Sequence, residues 1–309
     1  RGRGGIREAA PVRARAYAKV NLGLEVLFRR QDGYHELRTI LQTVDLYDRL
    51  TFTPQANGIE LEVDDPTLPS GRENLVVQAA GLLAERIGRP VGARIELEKK
   101  ILPGRGLGGG SSDAAVTLLA LNEMWEGGLS LTDLVRLAAE LGMDVPFFLH
   151  GGTALAIGRG DEVYPLAHQV DLPIVLILPD FTISTAAAYG NLILTKRESS
   201  LKLQSFASSS LGGKNRLPDL TNDLEAAIRE HLPSIKEHKQ SLLELGAVAS
   251  LMSGSGSAVV GIFDDGAVGE SAARSLEERG IRALATRTLT AKTYQERRLE
   301  QQPRRYDGA

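Results

Sequence analysis

The segment 102–115, LPGRGLGGGSSDAA, carries five glycines in the seven positions from Gly104 to Gly110. Glycine permits positive φ and close approach of the backbone, so several N–H groups can converge on one anion. The apolar spacing of Ala114, Leu118, Leu121 and Trp125 predicts a helix from Ser111 to Trp125, whose free N–H groups and dipole end add positive character at the loop. Ser111, Ser112 and Asp113 are also good capping residues. A tight turn alone needs one or two glycines, and five argue for a phosphate cradle. The Walker pattern fails because Gly110 stands where its lysine belongs. Gly104, Gly106 and Gly109 match G-x-G-x-x-G, but a second helix follows the first in place of a parallel strand ending in an acidic residue. A second glycine loop, MSGSGSA at 252–258, lies between two apolar strands and suggests two lobes closing on one ligand.

Charged and aromatic residues elsewhere can supply the remaining chemistry. Lys19 sits in a long strand, and Asp144 precedes Val-Pro in DVPFFL. Spacing alone favours Asp144 as a cap and Lys19 as a solvated strand residue.

The elements that position these residues follow from periodicity. Every even position from Ala14 to Phe28 is apolar, which predicts a half-buried strand with Lys19 and Asn21 on the face opposite the buried one. QDGY at 31–34 predicts a hairpin turn. TILQTV, RLTFTP and IELEV read as separate short strands, 74–88 as a helix stopped by Gly88, and SLTDLVRLAAELG as a helix capped by Ser130 or Thr132 and ended by Gly142. TALAIG and DEVYPL read as a strand pair and LPIVLILP as another strand. Residues 195–220 read as a flexible insertion, and helix and strand alternate from TNDLEAAIREHL to IRALATRTL. The class is α+β, with a boundary near 167.

Composition narrows the function classes. A net charge of −3 argues against nucleic-acid binding. No cysteine is present, which removes disulfides, thiolate zinc sites and cysteine nucleophiles and fits a cytoplasmic protein. No apolar run approaches the roughly 20 residues that span a bilayer, so no membrane partner is expected. The start, RGRGGIREAAPVRAR, is basic without a hydrophobic centre and is not a secretory signal. It reads as a frayed terminus, with a transit peptide or an RNA-touching arm as alternatives.

In order, AKVNL (18–22), LPGRGLGGGSSDAA and MSGSGSA resemble the GHMP kinase superfamily of small-molecule kinases. DGYHELRTILQTVDLYD, ENLVVQAA, DVPFFL and TNDLEAAI resemble, within it, the branch acting on 4-diphosphocytidyl-2-C-methyl-D-erythritol in the non-mevalonate isoprenoid route. The resemblance covers about residues 16 to 290. It implies a two-domain GHMP kinase fold, with a ribosomal-S5-like α/β domain (14–167) and an α/β sandwich domain (168–292), between a flexible extension (1–13) and a polar tail (293–309). It also implies ATP- and Mg2+-dependent phosphorylation of the 2-hydroxyl of that cytidyl diphosphate. Lys19 and Asp144 would be the catalytic pair. Pro103, Gly104, Gly106, Leu107, Gly108, Gly109, Gly110, Ser111 and Ser112 would hold ATP phosphates, with Ser112 a candidate magnesium ligand. Asn74 and Lys99, with Lys100 a further candidate, would lie toward the adenine. Tyr34 would stack on the cytosine and His35 bond its polar edge, with Asn21 nearby and Tyr189 or Phe181 as a second stacking ring. Met143 departs from the small residue usual before the aspartate, and the basic extension has no family counterpart. The rivals are another superfamily member such as homoserine kinase, whose substrate has no base for GYH to stack on, and a non-catalytic nucleotide sensor or RNA-associated protein. Oligomeric state stays open.

Overall fold

The computed structural model describes residues 10–166, 171–192 and 220–300. Most of the insertion expected at 195–220 lies outside these residues, as do 1–9 of the basic extension and 301–309 of the tail. A first sheet is built on two long antiparallel strands, β1 (Val12–Arg29) and β2 (His35–Pro54), joined by the expected Asp-Gly turn, where Gly33 has φ +87°. TILQTV and RLTFTP belong to this one β2 strand. Its first half pairs with β5 (Thr153–Gly158) and its second half with β4 (Gly92–Glu98). β3 (Gly58–Val63) adds a parallel edge to β4, β6 (Glu162–Pro165) pairs with β5, and β11 (Leu299–Glu300) pairs with β1.

Four helices cover this sheet: α1 (Leu75–Ile87), α2 (Gly109–Met124), α3 (Leu131–Leu141) and α4 (Val145–His150). Asn74 caps α1 by accepting from the Val76 N–H, and Gly88 ends it in the left-handed region. Ser130 and Asp133 form a reciprocal capping box on α3, which leaves no such role for Thr132. α2 starts at Gly109, two residues earlier than its apolar spacing suggests. It is buried on nearly every side, and Ala114, Leu118 and Leu121 are fully enclosed.

The second sheet is antiparallel, in the order β10 (Ala283–Arg287), β7 (Pro173–Ile177), β9 (Val259–Ile262), β8 (Ala249–Met252). α5 (Thr185–Gly190), α6 (Leu232–Glu244) and α7 (Gly266–Glu278) accompany it. TNDLEAAIREHL is not the expected helix. Only Asp223–Ala227 forms a 3-10 turn, because its polar side chains are tied to distant backbone: Asp223 accepts from the Val26 N–H and Glu225 from the Met252 N–H.

The two sheets share one apolar interface. Ala18, Val20 and Leu22 of β1 pack with Ile174 and Leu176 of β7 and Val260 of β9. Ala14 and Ala16, on the same even register, belong instead to the helix-covered core. A register shift between Tyr17 and Lys19 separates the two sets, and a bulge of this kind re-aims the side chains that follow it. The opposite face of β1 is therefore not solvated as the alternation suggests: Lys19 and Asn21 are 4% and 3% exposed.

The C-terminal segment corrects the expected tail from 293. Thr290 caps α8 (Ala291–Arg298), and Tyr294 is fully buried with its ring edge-on to Tyr17, centres 5.7 Å apart. The polar composition of this segment conceals one buried aromatic that anchors it to the first sheet. No helix among the described residues is long and apolar enough to cross a membrane.

Candidate active site

The glycine loop passes between the lobes. Leu107 is buried in the shared core, and its carbonyl accepts the Lys19 N–H at 2.9 Å. Gly108 (φ +71°) precedes α2 with no side-chain cap, and the first intrahelical bond runs from the Ser112 N–H to the Gly108 carbonyl. The N–H groups of Gly109, Gly110 and Ser111 thus have no helical acceptor, and these residues line a cavity of about 1000 Å³. A Cβ on Gly108 would stand 2.9 Å from the Phe148 ring and 3.1 Å from the Lys19 side chain. On Gly106 (φ +74°) it would stand 2.2 Å from the Ser253 carbonyl. The loop therefore admits no side chain at either point.

The second glycine loop closes against the first. Ser253 Oγ donates to the Gly106 carbonyl at 3.0 Å, and the Ala258 N–H reaches the Arg105 carbonyl at 3.1 Å. Arg105 Nη1 donates to Ser257 Oγ at 3.2 Å. Asn222 Nδ2 holds the carbonyls of Met252 and Gly254 from behind.

Beneath the start of α2 lies a buried charge cluster. Lys99 Nζ is 2.5 Å from Asp48 Oδ2 and 2.7 Å from Asp113 Oδ2. Asp48 Oδ1 also accepts the N–H groups of Lys100 and Ile101. Two carboxylates share one ammonium, and Asp113 Oδ1 has no partner. Burial pushes the Asp113 carboxyl up to about 8, against the opposing pull of Lys99. Asp113 is thus a brace and not the cap its sequence position suggests.

At the centre of the cavity, Lys19 Nζ lies 3.6 Å from Asp144 Oδ2 and 2.7 Å from Asn21 Oδ1. Asn21 Nδ2 donates to Thr39 Oγ1, which donates to the Gly23 carbonyl, so the Lys19 environment is fixed by a buried chain of bonds. Asp144 occupies the N-cap position of α4 yet makes no capping bond, and its side chain is 38% exposed. Its carboxylate is free to face a ligand.

The β1–β2 turn forms the far end. Tyr34 and His35 line the cavity with Tyr189 of α5. His35 stacks on Tyr189, ring centres 5.3 Å apart and planes 26° apart. Burial, then Arg29, holds the His35 pKa below its ordinary value. Burial, then the neighbouring Asp144, raises that of Tyr189. Phe181, the rival for the second ring, stacks instead on His231 at 4.2 Å and is not part of the cavity wall.

One cavity therefore gathers Lys19, Asn21, Tyr34, His35, Pro103, Gly104, Gly106 to Ser111, Asp144 and Tyr189. Besides Phe181, four expected residues are not in its wall. Asn74 caps α1, Lys99 is held in the charge cluster, the Lys100 N–H is bonded to Asp48, and Ser112 is buried with its hydroxyl unpartnered. Sequence reasoning missed Arg159 and Thr39, and it flagged the loop that carries Ser253 without naming that residue. Each acts through a partner distant in the chain, and the two glycines beside Arg159 were the hint of its special turn.

A loop of free backbone N–H groups and an ammonium–carboxylate pair between two lobes fit a small-molecule kinase of the GHMP type. The models described as GHMP kinases N terminal domain and GHMP kinases C terminal match residues 74–152 and 207–282. The chain belongs to the 4-diphosphocytidyl-2-C-methyl-D-erythritol kinase family. It is 44% identical to that kinase from Syntrophotalea carbinolica over 87% of this chain and 96% of the relative. It is 42% identical to that from Pelotomaculum thermopropionicum over 90% and 98%. A crystal structure of 4-(cytidine 5'-diphospho)-2C-methyl-D-erythritol kinase superposes with TM-score 0.79 at 39% identity, covering 90% of this chain and 99% of that one. A homoserine kinase from Cytophaga hutchinsonii (TM-score 0.72, 19% identity, 94% and 97% covered) shares the fold.

Proposed function

We infer that this chain transfers the γ-phosphate of ATP to the 2-hydroxyl of 4-diphosphocytidyl-2-C-methyl-D-erythritol, releasing ADP. The observation that carries this is the Lys19–Asp144 pair standing between a backbone phosphate cradle and an aromatic pocket in one cavity. Asp144 accepts the proton of the attacking hydroxyl, a contribution on the order of 10²–10⁴ in rate. Lys19 offsets charge on the attacking oxygen and the transferred phosphoryl group. The free N–H groups of Gly109, Gly110 and Ser111 hold triphosphate oxygens at the dipole end of α2.

Magnesium, when bound with ATP, neutralises triphosphate charge. No group of three or more acidic or histidine side chains that could hold a metal occurs among the described residues. The unpartnered hydroxyl of Ser112 fits an ion held mainly by phosphates and water.

Tyr34 stacks on the cytosine, and Tyr189 is the second ring. His35, kept neutral near pH 7 by its lowered pKa, retains one acceptor and one donor nitrogen for the polar edge of the base. Lys99 serves the adenine side indirectly, by bracing the loop, and Asn74 by starting α1. The lobe boundary near 167 fits the switch from the first sheet to the second.

Phosphorus NMR of the product tests the acceptor atom. The 2-carbon bears a methyl group and no hydrogen, so the new monoester signal is expected to show no coupling to a proton on its own carbon. A signal split by such a proton would move the transfer to another hydroxyl and overturn the reading.

A further inference from the structure

The Tyr34 ring is already covered on one face. Because Leu37 of β2 pairs with Gly158 of β5, the β1–β2 turn lies beside the turn that joins β5 to β6. That second turn carries Arg159, whose guanidinium carbon lies 5.3 Å from the centre of the Tyr34 ring. Arg159 is itself held, since its Nη2 donates to Asp161 Oδ2 at 2.5 Å. The tyrosine backbone is fixed separately: Asp32 Oδ1 accepts the Tyr34 N–H, and Arg30 ties Asp32 to Glu36. Yet Tyr34 is half exposed. Arg159 and Tyr34 both line the cavity.

We propose that Arg159 is a positioning residue for the cytidyl substrate: anchored by Asp161, it stacks on one face of Tyr34 and holds the ring in the plane that receives the base on the other. The proposal rests on Tyr34 being the base platform. A planar guanidinium suits this task, because it stacks on an aromatic face while its edge remains bonded to a carboxylate. A ring held in place before binding loses less freedom when the base arrives. The chain thus uses one cation for chemistry, Lys19, and another to set the platform on which specificity depends.

A double-mutant cycle reads this directly, with KM for the cytidyl substrate and for ATP measured in Arg159→Ala, Tyr34→Ala and the double variant. Arg159→Ala is expected to raise the cytidyl KM about twofold to fivefold with little change for ATP, as an exposed cation–ring contact suggests. In the Tyr34→Ala background the same change should do nothing further. Asp161→Asn should act in the same direction more weakly, and Arg159→Lys should recover part of the loss. These two milder variants keep the test alive should Arg159→Ala fail to fold. An equal Arg159 effect with and without the tyrosine would mean direct contact with substrate and overturns the positioning role. So would a matching rise in the ATP KM, or an unchanged cytidyl KM in Arg159→Ala while Tyr34→Ala raises it. An unchanged cytidyl KM in Tyr34→Ala removes the platform itself, and both readings fall together.

Discussion

The two ends of the cavity are built from different materials. At the end proposed to take phosphate the cavity-facing groups are backbone N–H donors, packed so tightly that a Cβ on Gly106 would stand 2.2 Å from the Ser253 carbonyl. That end is braced by buried charges and by a second loop from the other lobe. At the end proposed to take the nucleobase the cavity-facing groups are side chains on a hairpin turn, with Tyr34 49% exposed. Any triphosphate presents the same oxygens, so the first end can be rigid and generic. The second end must distinguish one alcohol from another, and side chains on exposed turns can do that without disturbing the core.

If this division is right, substitutions at the junction, at each end and in the brace should separate by size and by the substrate affected. Asp144→Asn, at the junction, is expected to lose on the order of 10²–10⁴ in kcat while still binding ATP. Rapid-quench single turnovers check this, and near-normal turnover would remove Asp144 from the base role. Tyr34→Ala should cost about 1–3 kcal/mol of cytidyl binding, the usual worth of a base stacked on an aromatic ring. Equal effects on the cytidyl and ATP KM values would erase the distinction between the ends. Gly106→Ala should cost about 1–3 kcal/mol from the left-handed backbone alone, with the clash against Ser253 added. Its signature is a lower unfolding midpoint together with a raised KM for ATP, and an unchanged ATP KM would break the claim of a rigid cradle.

A further effect is a pH slope set by the buried brace. The Asp113 carboxyl is raised to about 8 in the folded chain, against about 3.9 unfolded. Between those values the unfolded chain releases a proton that the folded chain keeps, so this group's contribution to stability falls as pH rises from about 4 to 8 and is lost above. Denaturant unfolding from pH 5 to 9 should show a shallower decline in Asp113→Asn than in the unsubstituted protein. Parallel slopes would mean that Asp113 is ionised throughout.

The sequence made the glycine loop legible and the brace invisible, for one physical reason. Five clustered glycines have few explanations, and the cap at Ser130 and the helix ends at Gly88 and Gly142 obey local rules that act within one turn. Asp48, Lys99 and Asp113 are spread along 66 residues, and only folding brings them within 2.7 Å. Lys99 accordingly looked like a ligand contact when its charge is spent inside the protein. The bulge after Tyr17 had the same effect, since a period-two pattern gives no sign of a shifted register and predicted solvent where Lys19 and Asn21 are enclosed. The pairing of Arg159 with Tyr34 depends on the β2–β5 register, which no short pattern encodes.

The most direct measurement is ADP release with ATP and magnesium, with 4-diphosphocytidyl-2-C-methyl-D-erythritol, homoserine and mevalonate offered in parallel to the folded protein. The account predicts turnover of the cytidyl alcohol and only background release with the other two. No turnover of the cytidyl alcohol, or comparable turnover of an alcohol without a base, would contradict it.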